Sequence, residues 1–102
     1  METPNLVKKE EDVIQKPSRY VVILQNDDYT EAMTVSTAIQ ETFGVPSEQA
    51  FNIMMAAHNH GRAVVSSYGS KDVAETKADH ANSIVKSADL EYSEVFFAEK
   101  DV

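Results

Sequence analysis

The sequence predicts a small α/β domain in which three strands form an open sheet covered by three helices, in the order β-α-α-β-α-β. Three short runs rich in β-branched and aromatic residues, at 20–24, 62–68 and 92–98, alternate with three segments in which apolar residues recur at helical spacing. Single glycines stand between several of these segments. A chain of 102 residues has room for one core only.

The chain divides into a polar arm and a domain with regular apolar patterns. Residues 1–18 are mixed in charge and contain two prolines, which predicts a flexible N-terminal extension. Residues 19–102 are expected to form the core domain. The formal net charge of −8 belongs to 20–102, where thirteen acidic residues outnumber five basic ones. Such a surface repels phosphates and anionic lipid headgroups, so neither nucleic acid nor membrane is an expected partner.

The first strand and the first helix are predicted from apolar runs and their flanking residues. Tyr20 to Leu24 are apolar without alternation, which is typical of a buried central strand. From Ala32 to Phe43 the apolar residues recur at helical spacing. Thr30 is expected to cap this helix at its start, and Gly44 is expected to end it.

The remaining elements follow in the same way. A second helix is predicted to start with Ser47 as its cap and to end at Gly61, and a strand should follow over 62–68. The apolar face of the second helix is predicted to comprise Ala50, Phe51, Met54, Met55, Ala57 and His58. A third helix is expected from Lys71 to about Ser87, with Val73, Lys77, Ala81, Ile84 and Ala88 along its apolar side. The last strand, over 92–98, should have one solvated face.

A polar cluster directly after the first strand is the most informative feature. Asn26, Asp27 and Asp28 hold more polar groups than one turn requires, so they either shape a turn before a helix or bind a positive charge. A calcium loop would need oxygen ligands at alternating positions and a late glutamate, and neither is present. His58 and His60 lack the i, i+4 spacing of a metal pair. We expect no metal and no cofactor.

The sequence favours binding over catalysis. It contains no cysteine, no nucleophile elbow around a serine and no glycine loop that would hold phosphate. It also contains no run of about 20 apolar residues that would span a membrane, and it lacks a hydrophobic signal core. These features predict a soluble protein in the cytoplasm.

Three stretches together resemble the ClpS family, the adaptors of the ClpA and ClpC unfoldases. They are VILQNDDYT at 22–30, MMAAHNHGRA at 54–63 and DVAETK at 72–77. The resemblance runs from about Arg19 to Lys100. It implies an α/β domain with a flexible N-terminal extension and no enzymatic activity. Proteins of this family bind substrates whose first residue is large and hydrophobic (N-degrons) and deliver them to the Clp protease.

The resemblance implies a role for the polar cluster in binding the free α-amino group of a substrate. The matching residues are Asn26, Asp27 and His58, with Asp28 meeting the backbone of the next substrate residue and Thr30 at the rim. An α-ammonium has three donors and one positive charge, which an amide oxygen, a carboxylate and a neutral imidazole nitrogen can satisfy. An acetylated nitrogen would leave these acceptors unpaired.

The resemblance also implies an apolar pocket for the first side chain. The matching positions are Ala32, Met33, Val35, Met54 and Ala57. The methionine usual at the pocket mouth falls on Ala32, with a methionine displaced to Met33, and a position that usually holds a larger aliphatic residue falls on Ala57. A further lining position near the last strand aligns with Glu94. These departures leave the mode of binding intact but change the expected specificity.

The side that faces the unfoldase is implied to carry Tyr29, Asp72 and Lys77, where Asp72 replaces the usual glutamate. The expected partners are the N-terminal domain of a ClpA- or ClpC-type unfoldase and N-degron peptides, and the adaptor is expected to be a monomer. Two alternatives remain. The first is a scaffold module of the same fold that binds a folded partner. The second is a small hydrolase or metal-dependent enzyme that would use Asp27, Asp28 and His58.

Overall fold

A computed structural model describes residues 18–88 and 92–101. In chain order its elements are β1 (Arg19–Gln25), α1 (Ala32–Phe43), α2 (Ser47–His60), β2 (Arg62–Tyr68), α3 (Lys71–Ala88) and β3 (Phe96–Asp101). The predicted α/β class and the predicted order of elements are confirmed. Residues 1–17 of the predicted extension lie outside the described residues.

The sheet places β1 in its centre. The strand order is β2-β1-β3, and both pairings are antiparallel. Val21 to Leu24 are all buried, with at most 6% of each residue exposed. The buried central strand predicted from the apolar run is therefore confirmed. The end of β1 is held on both sides, since Gln25 pairs with Arg62 and Leu24 pairs with Phe96.

The core lies between the sheet and the helices. Val22 of β1, Ile39 of α1 and Val85 of α3 are fully buried, and Phe96 of β3 is 1% exposed. Burying an aliphatic or aromatic side chain of this size contributes about 1.5–3 kcal/mol. This shared core holds α1 and α3 against the sheet and so fixes the end of β1 relative to the helices.

The two glycines predicted to end helices do so. Gly44 follows α1 with φ of 69°, and Gly61 follows α2 with φ of 90°. This left-handed conformation is one that side chains with a Cβ rarely adopt, which explains glycine at both positions.

The predicted N-terminal caps of α1 and α2 are wrong. The residues at the N-cap positions are Glu31 and Pro46, and neither makes a side-chain capping hydrogen bond. The Thr30 hydroxyl donates instead to the Asp27 carboxylate, and Ser47 is already the first helical residue. The Thr30 side chain thus makes a hydrogen bond within the preceding loop and does not cap α1.

The predicted buried face of α3 is displaced by one position. The buried residues of this helix are Ala74, Ala78, Ala81, Asn82 and Val85. Val73, which was predicted to be buried, is 44% exposed. The Lys77 amine lies at the edge of this face, where it donates to the Thr42 carbonyl at the end of α1. Small alanines allow α3 to pack closely, and the larger valine is left outside.

The last strand begins and ends later than predicted. It spans Phe96–Asp101 and not 92–98. The expected alternation is also wrong, because Val95 and Phe96 are consecutive and both buried. Across residues 18–88 and 92–101, no helix combines the length and apolar character that a membrane span needs.

Candidate functional site

A cavity of about 280 Å³ opens between the end of β1, the loop after it, the start of α1 and the face of α2. Its volume is close to the lower end of the roughly 300–1,000 Å³ found for small-molecule sites. It therefore suits a ligand about the size of one amino acid. The lining residues are Leu24, Gln25, Asn26, Asp27, Thr30, Ala32, Val35, Met54, Met55, Ala57, His58 and Val95.

The inner wall of the cavity is apolar. Leu24 of β1, Val35 of α1, Ala57 of α2 and Val95, which precedes β3, are all buried. Met54, which is half-buried, completes this wall from α2. Because these residues come from four parts of the fold that share the core, the shape of the wall is set by the packing of the whole domain.

The rim of the cavity is polar, and backbone hydrogen bonds fix its position. The Gln25 N–H donates to the Val95 carbonyl at 2.8 Å, and the Asn26 N–H donates to the Gly61 carbonyl at 2.9 Å. Gly61 follows the last turn of α2, which carries His58. The second bond joins the polar loop after β1 to the end of α2 that carries His58. It fixes the position of the loop relative to that helix.

The loop after β1 is organised around the Asp27 carboxylate. One of its oxygens accepts a hydrogen bond from the Tyr29 N–H at 3.1 Å, and the other accepts from the Thr30 hydroxyl. The hydrogen bond from Thr30, followed by that from the Tyr29 N–H, lowers the pKa of Asp27 below its usual range. Asp27 therefore stays ionised as the pH falls through the mildly acidic range.

The electrostatic character of the cavity suits one cation. Among the described residues that line it, Asp27 is the only carboxylate. His58 lies in the last turn of α2, where the unpaired carbonyls of a helix end carry partial negative charge. A single fixed anion beside an apolar wall matches a ligand that has one positive group and one apolar group.

The structure brings most of the predicted site residues together at this cavity. Those that line it are Asn26, Asp27, Thr30, Ala32, Val35, Met54, Ala57 and His58. His58 is exposed and does not lie on a buried helix face, contrary to the prediction. The predicted apolar face of α2 is also wrong at Phe51, which is 58% exposed, because only Ala50 and Ala57 of this helix are buried.

Two predicted residues do not line the cavity. Met33 is 76% exposed, and Asp28 is exposed in the loop. Successive residues of a helix point about 100° apart, so Ala32 and Val35 can share the side that faces the cavity while Met33 is turned away from it. Of these two neighbours on α1, the small Ala32 lines the cavity and Met33 does not.

Four lining residues were not predicted: Leu24, Gln25, Met55 and Val95. The first two are the last residues of β1, directly before the polar cluster, so their position at the end of a buried strand was a usable signal. Val95 lines the cavity at the position that the resemblance assigned to Glu94. Glu94 instead borders a separate cavity of about 210 Å³ between α3 and β3. A one-residue error in a loosely aligned segment accounts for this difference.

The residues implied to contact an unfoldase lie on two elements. Tyr29 is 87% exposed in the loop between β1 and α1, and Asp72 is exposed in the first turn of α3. Lys77 is half-buried, because its amine donates to the Thr42 carbonyl at 3.2 Å. Tyr29 and Asp72 are therefore available to a partner, whereas Lys77 also has a role within the fold.

A metal centre has no support in the described part of the chain. Within residues 18–88 and 92–101, no three histidine, aspartate or glutamate side chains come together as metal ligands would. Asp27 and His58 line the same cavity, but no third such group joins them there.

Comparison with known proteins decides the family. The family model described as "ATP-dependent Clp protease adaptor protein ClpS" matches residues 15–91. This chain belongs to the ClpS family. ClpS proteins are protease adaptors and not enzymes, so the resemblance and the non-enzymatic character predicted from the sequence are both confirmed.

Curated relatives and a solved structure agree with this assignment. The ClpS of Sodalis glossinidius is 44% identical over 71 residues, which cover 70% of this chain and 66% of the relative. The ClpS of Ruegeria sp. is 48% identical over 63 residues, which cover 62% of this chain and 55% of the relative. The structure of Agrobacterium tumefaciens ClpS2 bound to L-phenylalaninamide has a TM-score of 0.76 and 35% identity. That match covers 84% of this chain and all of the ClpS2 chain.

Proposed function

We propose that this protein is a Clp protease adaptor whose cavity binds the free α-amino group and the large hydrophobic first residue of N-degron substrates. The observation that carries the proposal is one cavity with a fixed carboxylate at its rim and an apolar wall inside. Its size suits a single amino acid. The ClpS2 structure, which contains L-phenylalaninamide, supports the proposal, because that ligand has a free α-amino group and an apolar side chain.

The α-ammonium would bind at the polar rim. Asp27 supplies the negative charge, and the side chains of Asn26 and His58 supply two further acceptors for its N–H donors. The hydrogen bonds from Thr30 and Tyr29 hold the Asp27 carboxylate in place before the ligand arrives. Because the Asp27 carboxylate needs little rearrangement, the cost of ordering it on binding is small. An internal peptide nitrogen has one donor and no charge, so it would be rejected.

The first side chain would enter the apolar part of the cavity. Burial against Leu24, Val35 and Val95 contributes about 25 cal/mol for each Å² of apolar surface removed from water. A glycine or serine as first residue has little such surface to bury. The selection of large hydrophobic first residues follows from this difference.

Delivery would use surfaces outside the cavity. We assign contact with the N-terminal domain of a ClpA- or ClpC-type unfoldase to Tyr29, Asp72 and Lys77, and engagement during handover to residues 1–18. The adaptor would act as a cytoplasmic monomer. The excess of acidic residues in 20–102 suits a basic surface on the partner.

The experiment that tests the proposed function is a titration with a Leu-first peptide and with the same peptide acetylated at its N-terminus. The two differ only in the charge and donors of the terminal nitrogen. Tight binding of the free peptide and at least about 100-fold weaker binding of the acetylated one are expected. Equal affinities would contradict N-terminal recognition and would favour the scaffold alternative.

Peptide affinity should fall by about tenfold or more between pH 7 and pH 5, because a protonated imidazole at His58 has no acceptor for the α-ammonium and places a like charge beside it. The lowered pKa of Asp27 keeps that carboxylate charged over the same interval, so Asp27 does not contribute to the loss.

Titration by calorimetry at several pH values measures the effect. His58→Gln should remove the pH dependence, whereas the matched control His60→Gln should retain it. An affinity that is flat from pH 8 to pH 5 would exclude His58 from amine binding.

Restoring a methionine at the mouth should change the choice of first residue. Ala32 lines the cavity with a shorter side chain than the methionine that the resemblance implies there, and each methylene-sized contact that is absent costs about 0.8 kcal/mol. The parent should therefore favour Phe, Tyr and Trp over Leu, and it should admit branched Ile or Val. Ala32→Met should raise the affinity for Leu and exclude Ile and Val. A panel of peptides that differ only in the first residue measures this, with Met33→Ala as the control. If Ala32→Met leaves the panel unchanged, the small residue at position 32 does not set specificity.

A further inference from the structure

We infer that Asn82 of α3 is a positioning residue for the cavity, because it holds the backbone of the wall residue Val95. Asn82 does not line the cavity between β1, α1 and α2, so it would act on that cavity only through Val95. The expected effect on peptide binding rests on the proposed function. Asn82 is 6% exposed, and it is one of two buried polar residues in the described part of the chain.

The Asn82 side chain uses both ends of its amide on one short segment. Its Oδ1 accepts hydrogen bonds from the Val95 N–H at 3.1 Å and from the Phe96 N–H at 3.0 Å. Its Nδ2 donates to the Phe96 carbonyl at 2.8 Å. We call these three bonds the Asn82 clamp. Asparagine is suited to this position, because leucine has neither group and aspartate lacks the donor.

The clamp acts on the cavity through Val95. The side chain of Val95 is part of the cavity wall and is 2% exposed, and the residue lies one position before β3 begins. Its N–H is held by Asn82, and its carbonyl accepts from the Gln25 N–H at 2.8 Å. The backbone N–H of Val95 is thus bonded to α3, and its carbonyl is bonded to the end of β1.

The same hydrogen bonds continue to the polar rim. Gln25 is followed by Asn26, whose N–H donates to the Gly61 carbonyl at the end of α2. One run of bonds therefore leads from Asn82 through Val95 and the end of β1 to the helix that carries His58. Losing the clamp would leave two buried N–H groups and one buried carbonyl without their partner, and it would free the wall to move.

The test compares Asn82→Ala with Val85→Ala. Val85 lies on the same buried face of α3, is fully buried and does not line the cavity, so its truncation destabilises the fold without touching the clamp. Thermal unfolding first establishes the temperature at which both variants are folded. At that temperature Asn82→Ala should bind a Leu-first peptide about tenfold more weakly than the parent, and Val85→Ala should remain within about twofold. Asn82→Ala should also alter the ratio of Leu-first to Phe-first affinities, which a loss of stability alone leaves unchanged.

Two results would overturn the inference: a folded Asn82→Ala with the affinities of the parent, or an equal loss of affinity in Val85→Ala. If Asn82→Ala does not fold, the inference is tested instead by hydrogen exchange of the backbone amides in the parent without peptide. Slow exchange of the Val95 and Phe96 amides supports the clamp, and exchange as fast as in an unfolded chain overturns it. This measurement needs no peptide, so it separates a failure of the clamp from a failure of the proposed function, which the free and acetylated peptides test on the parent.

Discussion

Exchanging Asp27 for asparagine should weaken the binding of a Leu-first peptide by about 30- to 100-fold, which is the largest effect we expect from one substitution in the cavity. The exchange removes the only carboxylate among the described lining residues. Hydrogen bonds to charged groups contribute about 1.5–3 kcal/mol, and the attraction between opposite charges is lost with them. The asparagine keeps an oxygen that can accept from the Tyr29 N–H, so the loop should retain its shape. Calorimetric titration gives the affinity.

The adjacent carboxylate provides a matched control. Asp28→Asn changes the net charge of the same loop by the same amount, but Asp28 is exposed and does not line the cavity. We expect a loss of no more than about threefold, as for an exposed charge that contacts the ligand weakly. Equal losses for the two variants would mean that the charge of the loop, or a contact of Asp28 with the peptide backbone, contributes as much as the bond from Asp27.

Removal of residues 1–17 should abolish delivery while leaving peptide affinity within about twofold of the parent. Within residues 18–88 and 92–101, those that line the cavity lie between 24 and 95, so the deletion keeps all of them. The resemblance to other adaptors implies that the unfoldase engages this extension during handover. Degradation of a Leu-first fluorescent substrate by the unfoldase and protease measures delivery, and a peptide titration on the same preparation measures binding.

A variant that carries a scrambled sequence over residues 1–17 is the control for length. If delivery depends on the chemistry of the extension, the scrambled variant should fail as the deletion does. Degradation that continues at the parental rate after the deletion would show that these residues take no part in delivery. A deletion that loses peptide affinity would instead mean that the extension contributes to the binding site.

The parts of the fold that could be predicted are those in which the preference of the local sequence, such as an apolar run or a glycine, matches its environment in the folded domain. The apolar run at 20–24, which has no alternation, favours a buried central strand, and β1 is one. Gly44 and Gly61 end helices because the left-handed turn needs glycine. The loop that carries Asp27 could be placed at the site only through the resemblance to ClpS, since its residues alone left a turn and a cation site as alternatives.

The features that could not be predicted depend on tertiary packing. The buried face of α3 was assigned around Val73 because valine is the more hydrophobic residue, but close packing selects the smaller Ala74. The Thr30 hydroxyl is a good helix cap in isolation, yet Asp27 competes for it. Nothing in the sequence distinguishes the buried Asn82 from an exposed asparagine in a polar helix, since its partners lie 13 and 14 residues away.

The most direct test of the central claim is the NMR spectrum of the protein titrated with L-phenylalaninamide and, separately, with N-acetyl-L-phenylalaninamide. The free amine should shift the backbone resonances of residues around the cavity, including Asn26, Ala57, His58 and Val95, and leave those of Glu75 and Asp79, which border the separate cavity, unchanged. The acetylated compound should shift none of them at the same concentration, because its nitrogen has neither the charge nor the donors that Asp27 and His58 require. Equal shifts with both compounds, or shifts confined to residues outside the cavity, would contradict the account.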